Sequence, residues 1–190
     1  MKIINRLKEG KTMTEQSNKT KRLVVSALFA ALLCIGAYIS VPLPIPGAPH
    51  ITMINFVLLL IALLFNVGES FLIVAVWMLL GIVGIPVFIG GKGGIGYLIQ
   101  PWGAYTWAFI VVAVLIPLIR GKSYNRIRYT ISAVIGVIVI DIIGMIYLMA
   151  MSHYDLVTGF AMGFAPFIVL DLVKAVVAAQ IITAFKKVLN

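Results

Sequence analysis

Apolar residues in this chain come in long unbroken runs, unlike the one-sided stripe of a helix that faces water on its other side. Such runs span Leu23 to Val41, Ile51 to Phe65, Ser70 to Val83, Trp102 to Ile119, Tyr129 to Ala150 and Ala161 to Phe185. Each is apolar around its circumference and is bounded by turn-forming or charged residues, the pattern of helices immersed in lipid. Pro42, Pro44, Pro46 and Pro49 stop the first run, because proline cannot continue helical hydrogen bonding. The second turns into the third at Asn66-Val67-Gly68-Glu69. Both are short against the ~20 residues that a ~30 Å hydrocarbon layer asks for, so their ends are expected to draw in loop residues. From Gly84 to Pro101 the chain is too glycine-rich for a stable helix. Irregular backbone persists at membrane depth only where protein or a wet cavity satisfies it, so this loop stands in water or lines a cavity. The predicted fold is all-α, a polytopic bundle of six transmembrane helices.

Composition strengthens that reading. The 190 residues are 62% hydrophobic and 11% charged, against about 45–50% and 25% in soluble domains. One membrane domain, residues 21–190, uses almost the whole chain, and residues 1–20 are expected to form a mobile basic cytoplasmic tail. No small-residue cleavage pattern follows a short apolar region, so the first helix is expected to be retained. Cys34 is the sole cysteine, which excludes an intramolecular disulfide and a cysteine-built metal site.

The net charge of +9 is explained by where the charges sit. Every Lys and Arg except Lys92 and Lys174 lies before Leu23, between Arg120 and Arg128, or at Lys186 and Lys187. That is the positive-inside pattern of a multi-pass protein of the cell membrane, with an attraction to anionic lipid. It places both termini, the Asn66–Glu69 turn and the Arg120–Arg128 loop in the cytoplasm, and it puts the proline loop, the glycine loop and the Ser152–Gly159 loop outside. Without aromatic interleaving, the basic clusters do not point to nucleic acid.

Little in the chain suggests catalysis. Gly90-Gly91-Lys92-Gly93-Gly94 lacks the Ser/Thr and the spacing of a phosphate loop. His50 and His153 have no spaced partners and read as loop residues rather than metal ligands. No nucleophile motif is present, so neither an enzyme, a catalytic residue nor a cofactor is expected. The informative residues are ionisable groups inside apolar runs, which cost a few kcal/mol each at the bilayer centre. They are Asp141 in the fifth run, and Asp171 and Lys174 in the sixth, three residues apart on adjacent parts of one helix face. Two readings stand: the charges neutralise one another to pin the bundle, or they contact a ligand.

Pro86-Val87-Phe88-Ile89-Gly90-Gly91-Lys92-Gly93-Gly94-Ile95-Gly96, Pro101-Trp102-Gly103-Ala104-Tyr105, and Pro166-Phe167 followed by Asp171-Leu172-Val173-Lys174-Ala175 resemble the biotin-specific substrate-binding (S) components of energy-coupling factor (ECF) transporters, the BioY family. The similarity runs from about Ser26 to the end of the chain. Where the family usually has Gly-Pro-Thr-Gly-Gly-Tyr, this chain has Gln100-Pro101-Trp102-Gly103-Ala104-Tyr105, a bulkier and more polar loop. The resemblance implies a six-helix S-component bundle that captures biotin from outside and delivers it inward. The implied partners are a transmembrane coupling protein and two cytoplasmic ATPases. It also implies substrate contacts from Asp171, Lys174, Gly91, Gly93, Gly94, Gln100, Tyr105 and Tyr147. Ala27 and Ala31 fit the small-xxx-small pattern by which such components dock on the coupling protein. Asp141 has no counterpart in the family pattern. The alternatives are an S component for another vitamin, or a small channel or secondary transporter using Asp141, Asp171 and Lys174 as an ion pathway.

Overall fold

A computed structural model describes residues 2–42 and 50–189. Its elements in order are α1 (Lys2–Gly36), β1 (Ser40–Val41), β2 (Ile51–Thr52), α2 (Ile54–Leu64), α3 (Val67–Ile82), α4 (Ile95–Leu98), α5 (Gly103–Arg120), α6 (Arg126–Ser152), α7 (Leu156–Gly163) and α8 (Ala165–Leu189). Helices α5, α6 and residues Ala165–Lys186 of α8 are long and apolar enough to cross a membrane; α2 and α3 are apolar but shorter. The bundle is held by one continuous apolar core, and large apolar side chains such as Leu72, Leu79, Leu118, Ile146 and Val169 point outward.

Helix α2 occupies the centre. From Val57 through Leu64 every side chain is buried, so the run is apolar on all faces because protein surrounds it on all faces. Its C-terminal carbonyls meet Arg120, whose Nε donates to Ala62 O at 3.1 Å and Nη2 to Phe65 O at 2.6 Å. A guanidinium thus closes a helix end that has no intrahelical donors left. Helix α3 then starts on a capping box: the Asn66 side chain accepts from Glu69 N, and Glu69 Oε2 accepts from Asn66 N. Glu69 also takes both ends of the Arg22 guanidinium, at 2.8 and 2.7 Å, fastening α1 to α3.

Successive long helices run in alternate directions. One end of the bundle gathers Arg22, Glu69, Arg120 and Lys186; the other gathers the β1–β2 pair, the glycine loop and α7. The loops grouped by charge in the sequence therefore do share one end.

Three sequence expectations are corrected. The first helix ends at Gly36, not Val41, because Ser40 and Val41 pair with Thr52 and Ile51 in an antiparallel ladder and Thr52 Oγ1 donates to Gly36 O. That pairing also takes Ile51 and Thr52 out of the second helix. The third correction is at the C-terminus, where the run from Ala161 to Phe185 is two helices that break at Phe164 (φ −124°, ψ −57°). Pro166 suits the first turn of α8, where its missing N–H breaks no hydrogen bond. Helix α1 is continuous across residue 20, where the sequence marks the end of a basic tail. Pro44, Pro46 and Pro49 lie outside the described residues.

Candidate ligand-binding site

The polar groups of the bundle interior converge at the loop end. Asp171, on the second turn of α8, is buried; its Oδ1 accepts from Lys174 Nζ at 2.7 Å and its Oδ2 from Asn55 Nδ2 at 2.8 Å. Lys174 Nζ also donates to Thr52 O at 2.9 Å. The three-residue spacing on α8 thus produces an ion pair, and the pair is tied to the start of α2 by two further bonds. With side-chain exposures of 14% for Lys174 and 4% for Asp171, solvent screens it little.

Next to this network lies a cavity lined by His50, Thr52, Asn55, Ile89, Tyr105, Phe109, Asp141, Phe167 and Asp171. Its volume is about 20 Å³, enough for about one water by the ~10–15 Å³ a water needs. A larger ligand enters only if the lining parts, and His50 and Ile89 stand on loops rather than long helices. Asp141 comes from the middle of α6 and is 1% exposed. Its Oδ2 is buried without a hydrogen-bond partner among the described residues. Such an atom forfeits hydration and gains nothing for it.

Tyr105 is fixed by its neighbours. Its hydroxyl donates to Gly163 O at the end of α7, and its ring meets Phe167 edge-on at 6.1 Å. The ring also lies against Gly144 of α6, where a Cβ would stand 2.2 Å from the Tyr105 ring. Glycine is required there by contact.

The glycine loop is packed. Phe88 is fully buried between Trp77 and Tyr97 and against Gly81, and Trp77 Nε1 donates to Val87 O at 3.1 Å. Gly90, Gly91 and Gly94 have φ of 72°, 70° and 89°, which favours glycine. A Cβ on Gly93 would lie 2.6 Å from Ile85 O. Four amides of this loop are spent within the protein: Gly90 N donates to Ala37 O, Gly91 N and Lys92 N to Phe88 O, and Gly94 N to Gly81 O.

Of the residues singled out from sequence, Asp141, Asp171 and Tyr105 line the cavity, and Lys174 joins them through Asp171. Gly91, Gly93, Gly94, Gln100 and Tyr147 do not line it. Gln100 is exposed, and the Tyr147 hydroxyl lies 3.5 Å from Ile99 O. Sequence reasoning passed over Asn55 and Thr52, though a neutral polar residue at the head of an apolar run is a legible signal. Phe109 carried none, and Ile89 and Phe167 stood only as members of the quoted family motifs. His50, read as a loop residue, reaches the cavity and lies 3.1 Å from Ser40 Oγ. No cluster of potential metal ligands occurs among the described residues. Ala27 and Ala31 are exposed on α1, on the face opposite buried Phe29 and Leu33.

Residues 10–190 match the model of the BioY family. A relative from Thermotoga maritima, described as biotin transporter BioY, is 37% identical over 88% of this chain and 96% of its own length. One from Pyrococcus horikoshii, described as a probable biotin transporter BioY, is also 37% identical, over 86% and 94%. Among solved structures, the S-component for biotin from an ECF-type ABC transporter superposes with a TM-score of 0.80 at 26% identity, covering 90% of this chain and 93% of that one.

Proposed function

The chain belongs to the BioY family, and from that premise we propose that it is the membrane-embedded biotin-binding subunit of an ECF-type ABC transporter. The observation that carries the assignment to this chain's own residues is the buried polar cluster of Asp171, Lys174, Asn55 and Asp141 beside an aromatic-walled cavity. Biotin has a fused ureido ring with two N–H donors and one carbonyl acceptor, an apolar thioether ring, and a chain ending in a carboxylate. A carboxylate oxygen has lone pairs beyond the one each Asp171 oxygen already uses, so Asp171 can accept a ureido N–H without losing Asn55 or Lys174. Asp141 Oδ2, which has no partner among the described residues, suits the second N–H. Lys174 and Asn55 supply donors for the carbonyl, while Tyr105, Phe109 and Phe167 supply apolar walls.

In this reading α1, α2, α3, α5, α6 and α8 all cross the membrane, both termini are cytoplasmic, and the cavity opens outward. His50 and the Ile89 loop move aside to admit ligand. Gly91, Gly93 and Gly94 act through the shape of that loop, and Gln100 and Tyr147 stand at its edge. The exposed Ala27 and Ala31 dock on a transmembrane coupling protein, where small side chains let helices approach closely. Two cytoplasmic ATPases supply the energy. Mass spectrometry of small molecules released from the denatured, purified protein tests the reading: biotin is expected at near one per chain. Release of a different vitamin, or single-channel conductance without a bound molecule, refutes it.

A further inference from the structure

A second cavity, about 660 Å³ in volume, opens at the opposite end of the bundle. It is lined by Arg22 of α1, Leu64, Asn66 and Val67 at the α2–α3 turn, Pro117 through Lys122 except Ile119 at the end of α5, and Lys186 of α8. Four cationic side chains therefore face one space. Only one of them is neutralised among the described residues, Arg22 by Glu69. Arg120 is 7% exposed, and all its acceptors are neutral: Ala62 O, Phe65 O, Gly121 O and the Tyr129 hydroxyl. Lys186 Nζ donates to that same hydroxyl and lies 4.4 Å above the Tyr129 ring. Two cations thus share one phenol, with no acid paired to either among the described residues.

Withdrawing unpaired charge from water is costly, and helix carbonyl dipoles offset only part of it. The N-terminus of α3, at Asn66 and Val67, borders the same wall, but its capping box and Glu69 already meet it, so the unmatched positive charge is that of the side chains. The other wall is apolar: Leu64 and Pro117 lead to Leu118, which is 65% exposed on the outer surface of the bundle. A cationic floor with an apolar side exit matches a molecule with an anionic head and a hydrocarbon tail.

We propose that this cavity binds the phosphate headgroup of an anionic phospholipid, with the phosphate between Lys122 and Lys186 and an acyl chain leaving over Leu118. Free phosphate shares the headgroup chemistry but makes no use of the apolar exit. The site is separate from the vitamin cavity, so it stands or falls independently of the ligand assigned there.

The test is native mass spectrometry and thermal unfolding of the full chain in detergent, with phosphatidylglycerol, phosphatidylcholine or inorganic phosphate added. Phosphatidylglycerol is expected to bind at one copy and to raise the unfolding temperature; phosphatidylcholine and phosphate are expected to do neither. Each lysine near an anionic surface contributes about 1 kcal/mol, so the Lys122→Gln, Lys186→Gln double variant is expected to weaken phosphatidylglycerol binding by at least about tenfold. Arg120 is left intact because it closes α2. As a control, Lys19→Gln with Lys21→Gln, on the exposed part of α1, is expected to bind like the parent. The proposal is overturned if the cavity variant binds as the parent does, if the control loses binding equally, or if phosphate alone gives the same protection.

Discussion

Replacing Asp171 with Asn, Lys174 with Met, and then both together separates a fastening role from a binding one. In the parent, Asp171 holds Asn55 and Lys174, and Lys174 also holds Thr52 O, so the pair joins α8 to the head of α2. Asp171→Asn keeps the shape but replaces a charge-assisted bond by a neutral one and leaves a largely buried ammonium with only a carbonyl. Such a bond contributes roughly 1.5–3 kcal/mol, and the low exposure of both side chains leaves little room for a solvent discount. The double variant removes the unpaired charge, so its thermal midpoint is expected to recover part of what Asp171→Asn loses. Affinity is expected to behave differently. If Asp171 accepts a ureido N–H, Asp171→Asn raises the biotin Kd by at least about tenfold, and the double variant binds no better than the worse single one. The measurements are calorimetric titration with biotin and a melting curve on each purified variant, with gel filtration to verify folding. Recovery of stability without recovery of affinity is the expected signature. A double variant that binds biotin like the parent refutes a ligand role for both residues.

Asp141→Leu removes the carboxylate whose Oδ2 has no partner among the described residues, without adding a polar group; titration is expected to show a rise in Kd of about tenfold or more, and unchanged affinity would remove Asp141 from the site. Gly144→Ala drives a methyl into the Tyr105 ring, and a loss of about 1–3 kcal/mol of stability is expected in chemical unfolding. Arg120→Leu strips the carbonyls of Ala62 and Phe65, at about 1–3 kcal/mol for each buried group left unpaired. Arg120→Lys is expected to rescue little of this in the same unfolding assay, since a point charge cannot reproduce the guanidinium fork. Ala27→Trp or Ala31→Trp is expected to abolish uptake in cells while the solitary subunit still binds biotin; equal loss of both would indicate misfolding instead of failed docking.

The long helices were legible because continuous apolarity needs no knowledge of neighbours, and α5 and α6 lie within a few residues of their expected bounds. The break at Phe164 was passed over although Gly163 and Pro166 flank it, because the segment is otherwise as apolar as an unbroken helix. Asp171 and Lys174 were legible as charges in an apolar run. Tyr105 and Tyr147 looked alike as sequence; only the packing of Gly144 and Gly163 against Tyr105 distinguishes the one in the cavity wall. The glycine loop was recognisable as irregular backbone, but its amides find Phe88 O, Ala37 O and Gly81 O through contacts no spacing rule contains. Asn55 resembles a helix-start residue until α8 brings Asp171 to it.

That last contact joins residues 116 positions apart, and the bond from Lys174 to Thr52 joins residues 122 apart. A chain made from its N-terminus therefore places Asn55, Tyr105 and Asp141 in the bilayer before the helix that completes their surroundings has left the ribosome. Until α8 arrives, Asn55 has no carboxylate to bond. Helix α8 is thus the element that draws Asn55 and Thr52 into one polar cluster with Asp171 and Lys174. The polar groups at the head of α2 therefore wait, unmatched, for a helix made more than a hundred residues later, so the order in which the chain is made and the order in which its interior is satisfied are opposite.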